Sequence, residues 1–352
     1  MKLQFQGKRI SSLVTVVPRR ELNFDDEIGN YQFSREKSLK LKKLMGFDRH
    51  RIVDEGVCGS DLCVRGLEWL LEAGVLKRDQ VGALIMITQS PDHFIPPTSN
   101  LIQARVGLGQ DTFCLDINQG CAGFVIGLIQ AFMMLETGAI DKAVLLNADT
   151  LSRRVGTRDR NIYPMIGDAG SVTVIENDAG GGPIHGFVRM DGSGARTLMI
   201  PAGGFRTPST AATAEERDAG GGNFRSEDQF YMDGPSVFNF VQREVPPMIE
   251  ELLRYAGKDQ VEYYLFHQPN RFMLEKLALA MQVDPAKMPN NIVGLFGNAS
   301  SVTIPTNICH NLAAEVKRRA VSACLAGFGV GLTWASLLLE LGPMNACELL
   351  EY

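Results

Sequence analysis

Two stretches of this chain, far apart in sequence, repeat one pattern. Residues 73–92 read AGVLKRDQVGALIMITQSPD, and residues 256–270 read AGKDQVEYYLFHQPN. In each, a helical segment ends at Ala-Gly and an Asp-Gln-Val step follows. An apolar strand comes next, then a polar turn containing proline. A helical pattern follows both turns, SNLIQARVGLG in the first case and RFMLEKLALAMQV in the second. A repeat of strand and helix units at this separation predicts two similar α/β halves fused in one chain. The 352 residues leave room for both, because domains typically hold about 100–200 residues.

The rest of the chain fits that plan. VGALIMIT (81–88) and KAVLLNAD (142–149) are apolar on both faces, as strands covered on both sides must be. RISSLVTVVP reads as a first strand closed by Pro18, and TFCLDI as a short buried one. SDLCVRGLEWLLEAGVL (60–76) has helical spacing behind Ser60 or Asp61 as N-cap. A charged segment before Gly46 predicts a helix and is the most basic part of the chain. In PSVFNFVQREVPPMIEELLRYAG, Pro246 and Pro247 predict a kinked or divided helix. Residues 203–229, rich in Gly, Thr, Ser and charge, predict a long and mobile surface excursion.

Composition narrows the class of function. A net charge of −5 offers no general attraction to nucleic acid or to an anionic membrane. The seven cysteines are scattered and odd in number, with no C-x-x-C pair, which fits reduced thiols. No signal-peptide core opens the chain and no apolar run is long enough to span a bilayer. A cytoplasmic protein without a metal or redox cofactor is expected.

One cysteine stands apart. Cys121 lies in DINQGCAGF, between the strand TFCLDI and the apolar run GFVIGLIQAFMMLETG. That places it at a strand-to-helix turn, where free N–H groups and the helix dipole favour a thiolate. Gly120, Ala122 and Gly123 leave room for a substrate at sulfur. Taken alone the stretch fits a buried, inert cysteine equally well. Three further motifs sit where strands should end: His267 after YYLF, Asn298 in LFGNASSVTIP, and Gly327, Gly329 and Gly331 in CLAGFGVGLTWAS. Each has an ordinary structural explanation, but their order after the cysteine does not.

That order, together with MIGDAGSVTVI, DGSG, YMDGPSVFNF and HQPN, resembles the ketoacyl-ACP synthase III group of the thiolase-like superfamily almost end to end. The resemblance implies an α/β, thiolase-like fold, two similar fused halves in five αβαβα layers. Residues 1–178 would carry the nucleophile and residues 179–352 the histidine and asparagine. It implies Cys121 as nucleophile, with His267 and Asn298 as its catalytic partners. Cys121 and Gly331 would supply the oxyanion-hole N–H groups. The implied chemistry is a ping-pong decarboxylative Claisen condensation. An acyl group rests on Cys121; a malonyl thioester, such as malonyl-ACP, loses CO₂ while His267 and Asn298 act as neutral donors to its enolate oxygen. An acyl carrier protein and an acyl thioester are the implied partners, in a homodimer. Ile95, or alternatively Phe94, would reach into the partner subunit's acyl pocket.

The chain also departs from that pattern. Lys40 and Leu44 stand where relatives carry the Trp and Arg that grip coenzyme A. Phe272 replaces the carrier-docking arginine, with Arg271 beside it. The resemblance therefore implies an acyl-ACP donor, or a carrier docked through residues such as Lys40 and Arg271. The insert at 203–229 and the phrase MIPAGGFRTP resemble synthases of surface-polysaccharide or secondary-metabolite clusters more than those priming bulk fatty acids. Two other readings stay open: acyl transfer to an oxygen or nitrogen nucleophile, and a silent scaffold that binds acyl carriers.

Overall fold

The computed structural model describes residues 1–352. Two sheets carry the fold. The strands are β1 (Lys2–Phe5), β2 (Lys8–Val17), β3 (Ala83–Ile87), β4 (Phe113–Ile117), β5 (Lys142–Asp149) and β6 (Ala169–Asn177). They continue as β7 (Ile184–Met190), β8 (Tyr263–Phe266), β9 (Val321–Gly329), β10 (Thr333–Leu341) and β11 (Ala346–Glu351). The first sheet has the order β11-β2-β6-β5-β3-β4 and the second β1-β7-β10-β9-β8. Both contain the same run of pairings. β2-β6-β5 is antiparallel throughout and β5-β3 parallel; β7-β10-β9 is antiparallel and β9-β8 parallel. The repeated segments therefore fall on equivalent strands, β3 and β8. The chain ends cross over: β1 pairs in the second sheet and β11 in the first.

Seven helices matter for the site: α1 (Arg35–Met45), α2 (Gly59–Glu72), α3 (Thr98–Arg105), α4 (Gly123–Glu136), α5 (Gly234–Tyr255), α6 (Arg271–Ala280) and α7 (Thr303–Asn311). α4 is apolar almost all round, which suits a helix enclosed on every side. Its Phe124, Leu128 and Phe132 share one core with Ile85 of β3, Leu325 of β9 and Ile304 and Ile308 of α7. α4 and α7 thus form the layer between the two sheets. Outside the first sheet, Leu62 and Leu67 of α2 and Ile102 of α3 build a second core. Outside the other, Val241 and Met248 of α5 and Leu274 of α6 build a third. The layers are α2/α3, sheet, α4/α7, sheet, α5/α6: a five-layered α/β thiolase-like fold.

Several local expectations change. Pro246 and Pro247 neither divide nor end α5. Both lie on its outer side, while Val245, Met248 and Ile249 keep an unbroken buried face. Packing outweighs the two lost N–H donors. The N-cap of α2 is Cys58, not Ser60 or Asp61; Asp61 accepts from the Cys58 N–H at 2.7 Å as the reciprocal half of the cap. β4 is an edge strand with Phe113 exposed, not a buried one. Residues 203–229 are not a bare excursion. They hold a one-turn helix (Ala211–Ala214) and the strand pair Arg217–Asp218 with Phe224–Arg225. Arg225 reaches the buried Asp159 carboxylate at 2.8 Å, which fastens the segment to the loop after β5.

Candidate active site

Cys121 occupies the turn between β4 and α4, immediately before the N-cap residue Ala122. Small residues draw this turn into the space between the sheets. A Cβ on Gly123 would stand 2.4 Å from Ile87, and one on Gly127 would stand 2.5 Å from Leu145. From the other sheet, the glycines of β9 approach the turn. A Cβ on Gly327 would meet Ala122 Cα at 2.6 Å, and one on Gly329 would meet Cys121 Sγ at 2.9 Å. A side chain at Gly329 would therefore occupy the space of the sulfur itself.

The resting group is a thiol. Loss of water around the half-buried Cys121 pushes its pKa up to about 11, and the Asp149 charge adds to the rise. The N–H of Val330, the Ser300 hydroxyl and the Cys121 N–H oppose it without reversing it. The expected preference for thiolate is thus overturned, because burial outweighs the N–H groups at the turn. The N–H that the Gly-rich strand brings to the resting sulfur belongs to Val330, next to Gly331, the residue that the resemblance implies for the oxyanion. Only backbone is used at this position, so the side chain carried no signal in the sequence.

His267 follows β8 directly and is held by its N–H to the Ala326 carbonyl at 2.8 Å. Its Nδ1 lies 2.7 Å from Thr303 Oγ1. That hydroxyl lies 3.0 Å from the Ser300 carbonyl and accepts from the Gln268 N–H at 3.2 Å. Thr303 thus reaches both the Ser300 carbonyl and Nδ1 with a single proton, and the tautomer of the ring follows from which of the two receives it. Burial pushes the His267 pKa down to about 3, so the ring is neutral across the physiological range.

Asn298 is fixed by backbone. Its N–H donates to the Met165 carbonyl at 2.6 Å, and its carbonyl accepts from Gly167 at 3.2 Å. The contact is close enough that a Cβ on Gly167 would fall 2.1 Å from the Phe296 carbonyl oxygen. Asn298 Oδ1 accepts from the Ser300 N–H at 2.9 Å, which leaves the side-chain NH₂ free to donate. Ser300 is the shared neighbour of all three residues. Its N–H holds Asn298, its carbonyl faces His267, and its hydroxyl stands beside Cys121. Its φ of +53° is unusual for a residue with a side chain.

A cavity of about 470 Å³ reaches Asn298 from the surface. Its walls are apolar, with Met45, Met165, Phe230, Phe238 and Met273 among them. Leu44 and Phe272, the two departures from the family pattern, both line it. A larger hollow of about 740 Å³ beside Pro246 and Met281 contains none of the site residues. Arg271 lies at the surface, beside the Lys43 carbonyl and 3.6 Å from Glu275; Lys40 pairs with Glu36 at 2.8 Å. Neither lines the cavity. Phe94 and Ile95 are largely exposed, with the Phe94 ring 5.8 Å from that of Phe205.

Comparison with known proteins agrees with this geometry. Residues 115–192 match the family described as 3-Oxoacyl-[acyl-carrier-protein (ACP)] synthase III, and residues 255–341 match its C-terminal part. A Campylobacter jejuni protein named as a 3-oxoacyl-[acyl-carrier-protein] synthase 3 is 31% identical, covering 100% of this chain and 99% of that protein. A Streptococcus suis beta-ketoacyl-[acyl-carrier-protein] synthase III is 28% identical over 95% of this chain and 98% of its own length. The crystal structure of a 3-oxoacyl-(acyl-carrier protein) synthase from Burkholderia xenovorans LB400 superposes with a TM-score of 0.93 at 34% identity, covering 100% of this chain and 99% of that one. The chain belongs to the ketoacyl-ACP synthase III family of the thiolase-like superfamily.

Proposed function

We propose that the protein is a condensing enzyme that joins a Cys121-bound acyl group to a malonyl thioester carried by an acyl carrier protein. The observation that carries this reading is the convergence of Cys121, His267 and Asn298 on Ser300, with an apolar cavity leading to Asn298. Loading places the acyl group on sulfur and releases the carrier thiol. The Cys121 and Gly331 N–H groups, the pair that the resemblance implies, suit the oxyanion formed on the way. The malonyl thioester then loses CO₂, and its enolate carbon attacks the acyl-cysteine to give a 3-ketoacyl thioester. Asn298 donates to the enolate oxygen from its free NH₂. His267 joins it as a neutral donor through Nε2–H, the tautomer that forms when Thr303 gives its proton to Nδ1. The two halves divide the work, residues 1–178 bringing the nucleophile and residues 179–352 bringing His267 and Asn298.

The apolar mouth favours an acyl-ACP donor, since Leu44 and Phe272 offer no charge to a nucleotide phosphate. Lys40 on α1 and Arg271 on α6, both at the surface, suit an acidic carrier. The exposed Phe94 and Ile95 belong, in this reading, to a homodimer in which they close the partner subunit's acyl pocket. Mass spectrometry of the intact protein tests the whole scheme. The protein is offered acyl-CoA and acyl-ACP donors and then malonyl-ACP. Acylation of Cys121 followed by a 3-ketoacyl product supports it. Failure of every donor to load Cys121 would refute it, and loading without a new carbon–carbon bond would favour transfer to another nucleophile. Cys121→Ala should abolish loading. His267→Ala and Asn298→Ala should load but not condense, the latter losing about 3–4 kcal/mol of transition-state stabilisation.

A further inference from the structure

One buried acid beside the nucleophile has no part in the scheme above. Asp149 ends β5 and has no exposed surface. Its two oxygens have different surroundings. Oδ1 accepts from the Gln89 N–H at 2.8 Å, the Ser90 hydroxyl at 3.2 Å and the Thr88 hydroxyl at 3.4 Å. Those bonds fix the turn after β3, and they account for any purely structural role. Oδ2 has no hydrogen-bond partner, although it is enclosed. An unpartnered carboxylate oxygen in such a place is costly unless it serves a purpose.

Ser300 supplies the missing connection. Its hydroxyl is buried and also lacks a hydrogen bond of normal geometry. It nevertheless stands close enough to both Asp149 and Cys121 to favour the charged form of each. The positive φ of Ser300 turns the residue so that its N–H serves Asn298, while the 300–302 turn packs against β5, the strand that Asp149 ends. Strained backbone of this kind is retained where the surroundings hold it for a purpose.

We propose that Asp149 receives the Cys121 proton through the Ser300 hydroxyl during acyl loading, acting as a positioning residue for the nucleophile. The inference rests on the condensing-enzyme reading only for the identity of the acyl donor. As the thiol S–H bond breaks, its proton passes to Ser300 Oγ and the Ser300 proton passes to Asp149 Oδ2. The sulfur electron pair forms the bond to the thioester carbonyl carbon. The carbon–sulfur bond to the carrier then breaks with its electron pair on the carrier sulfur, and the proton returns through Ser300 to that sulfur. His267 is not required, which agrees with its being reserved for the malonyl step.

Charge supports the route. The pair of Asp149 and Cys121 holds one negative charge wherever the proton lies, so neutralising the acid removes a repulsion that opposes the thiolate. Burial raises Asp149 to about 7, close to the working pH of a general base. The titratable groups facing it are the Cys121 thiol and the Cys63 thiol of α2; burial pushes both up. The turn after β3 gives it the Gln89 N–H and the Thr88 and Ser90 hydroxyls, and the same turn carries Asp92, which with Asp149 acts on the Cys63 thiol.

The test measures alkylation of Cys121 by iodoacetamide against pH, with peptide mass spectrometry to separate it from the other cysteines. The wild-type rate should rise through an inflection near pH 7 and again at high pH. Asp149→Asn, which keeps the Oδ1 acceptor, and Ser300→Ala should each lose the lower inflection and react at least about tenfold more slowly at pH 7.5. Acyl loading should fall in parallel. Persistence of the inflection in either variant, once its melting curve shows it folded, overturns the proposal. Should one variant fail to fold, the other decides. A wild type that shows the inflection but accepts no acyl donor would leave the relay standing and refute the condensing reading instead.

Discussion

His267 Nδ1 stands 2.7 Å from Thr303 Oγ1, and that hydroxyl also lies 3.0 Å from the Ser300 carbonyl, two acceptors for one proton. A single threonine thereby decides which face of the imidazole is basic. The rest of the site depends on this, because a ring with its proton on Nε2 keeps a donor for the substrate, whereas a ring with its proton on Nδ1 spends it on Thr303.

Thr303→Val should therefore separate the two stages of the reaction. Loading of Cys121 should be close to normal, while condensation slows at least about tenfold, equivalent to about 1.4 kcal/mol. Thr303→Ser should restore the rate. Single-turnover mass spectrometry of each stage provides the measurement. Equal slowing of both stages would mean that Thr303 matters only for packing.

Gly329→Ala tests how closely the two sheets meet. The added methyl would lie 2.8 Å from Cys121 Cβ and 2.9 Å from its sulfur. Loading should fall on the order of 100-fold, because a displacement near 1 Å at the reacting atom can cost that much. The melting temperature should change little by comparison. A variant that loads normally would show that the strand can move aside.

The two buried titratable groups predict opposite effects of pH on stability. His267 titrates near 3 when folded against an ordinary 6.5, so the unfolded chain binds more protons between those values. Stability from this group is complete above about 6.5 and declines as pH falls toward 3. Asp149 titrates near 7 when folded against 3.8, so there the folded chain binds more protons. That stability is complete below 3.8 and declines as pH rises toward 7. Asp149→Asn should accordingly gain stability relative to wild type as pH climbs from about 4 to 7, then hold level. Denaturant titrations at several pH values would reveal the trend; a difference independent of pH would contradict it.

The donor prediction concerns the mouth of the cavity. Leu44→Arg and Phe272→Arg, alone or together, should increase loading from acyl-CoA relative to acyl-ACP, by placing charge where a nucleotide phosphate would lie. Competition between the two donors, read by mass, measures the ratio. An unchanged ratio would show that these positions do not select the donor.

The primary sequence already contained the architecture. Short apolar runs such as ALIMI and AVLLNA, bounded by polar turns, fit strands covered on both faces, and the shared Asp-Gln-Val step placed β3 and β8 at equivalent positions. Cys121, His267 and Asn298 were legible through their order along the chain and its resemblance to the family, since each alone fits an ordinary structural role. Tertiary structure decided what those residues are chemically. The thiol is protonated because burial outweighs the N–H groups at its turn, a balance that depends on solvent access rather than spacing. The histidine tautomer depends on Thr303, thirty-six positions away along the chain. Val330 donates through an amide that its side chain does not reveal. Asp149 looked like the last residue of a strand until Ser300 was brought beside it from the second half of the chain. Hydrophobic pattern is local and survives in sequence, but proton affinity is set by whatever the fold packs against a group.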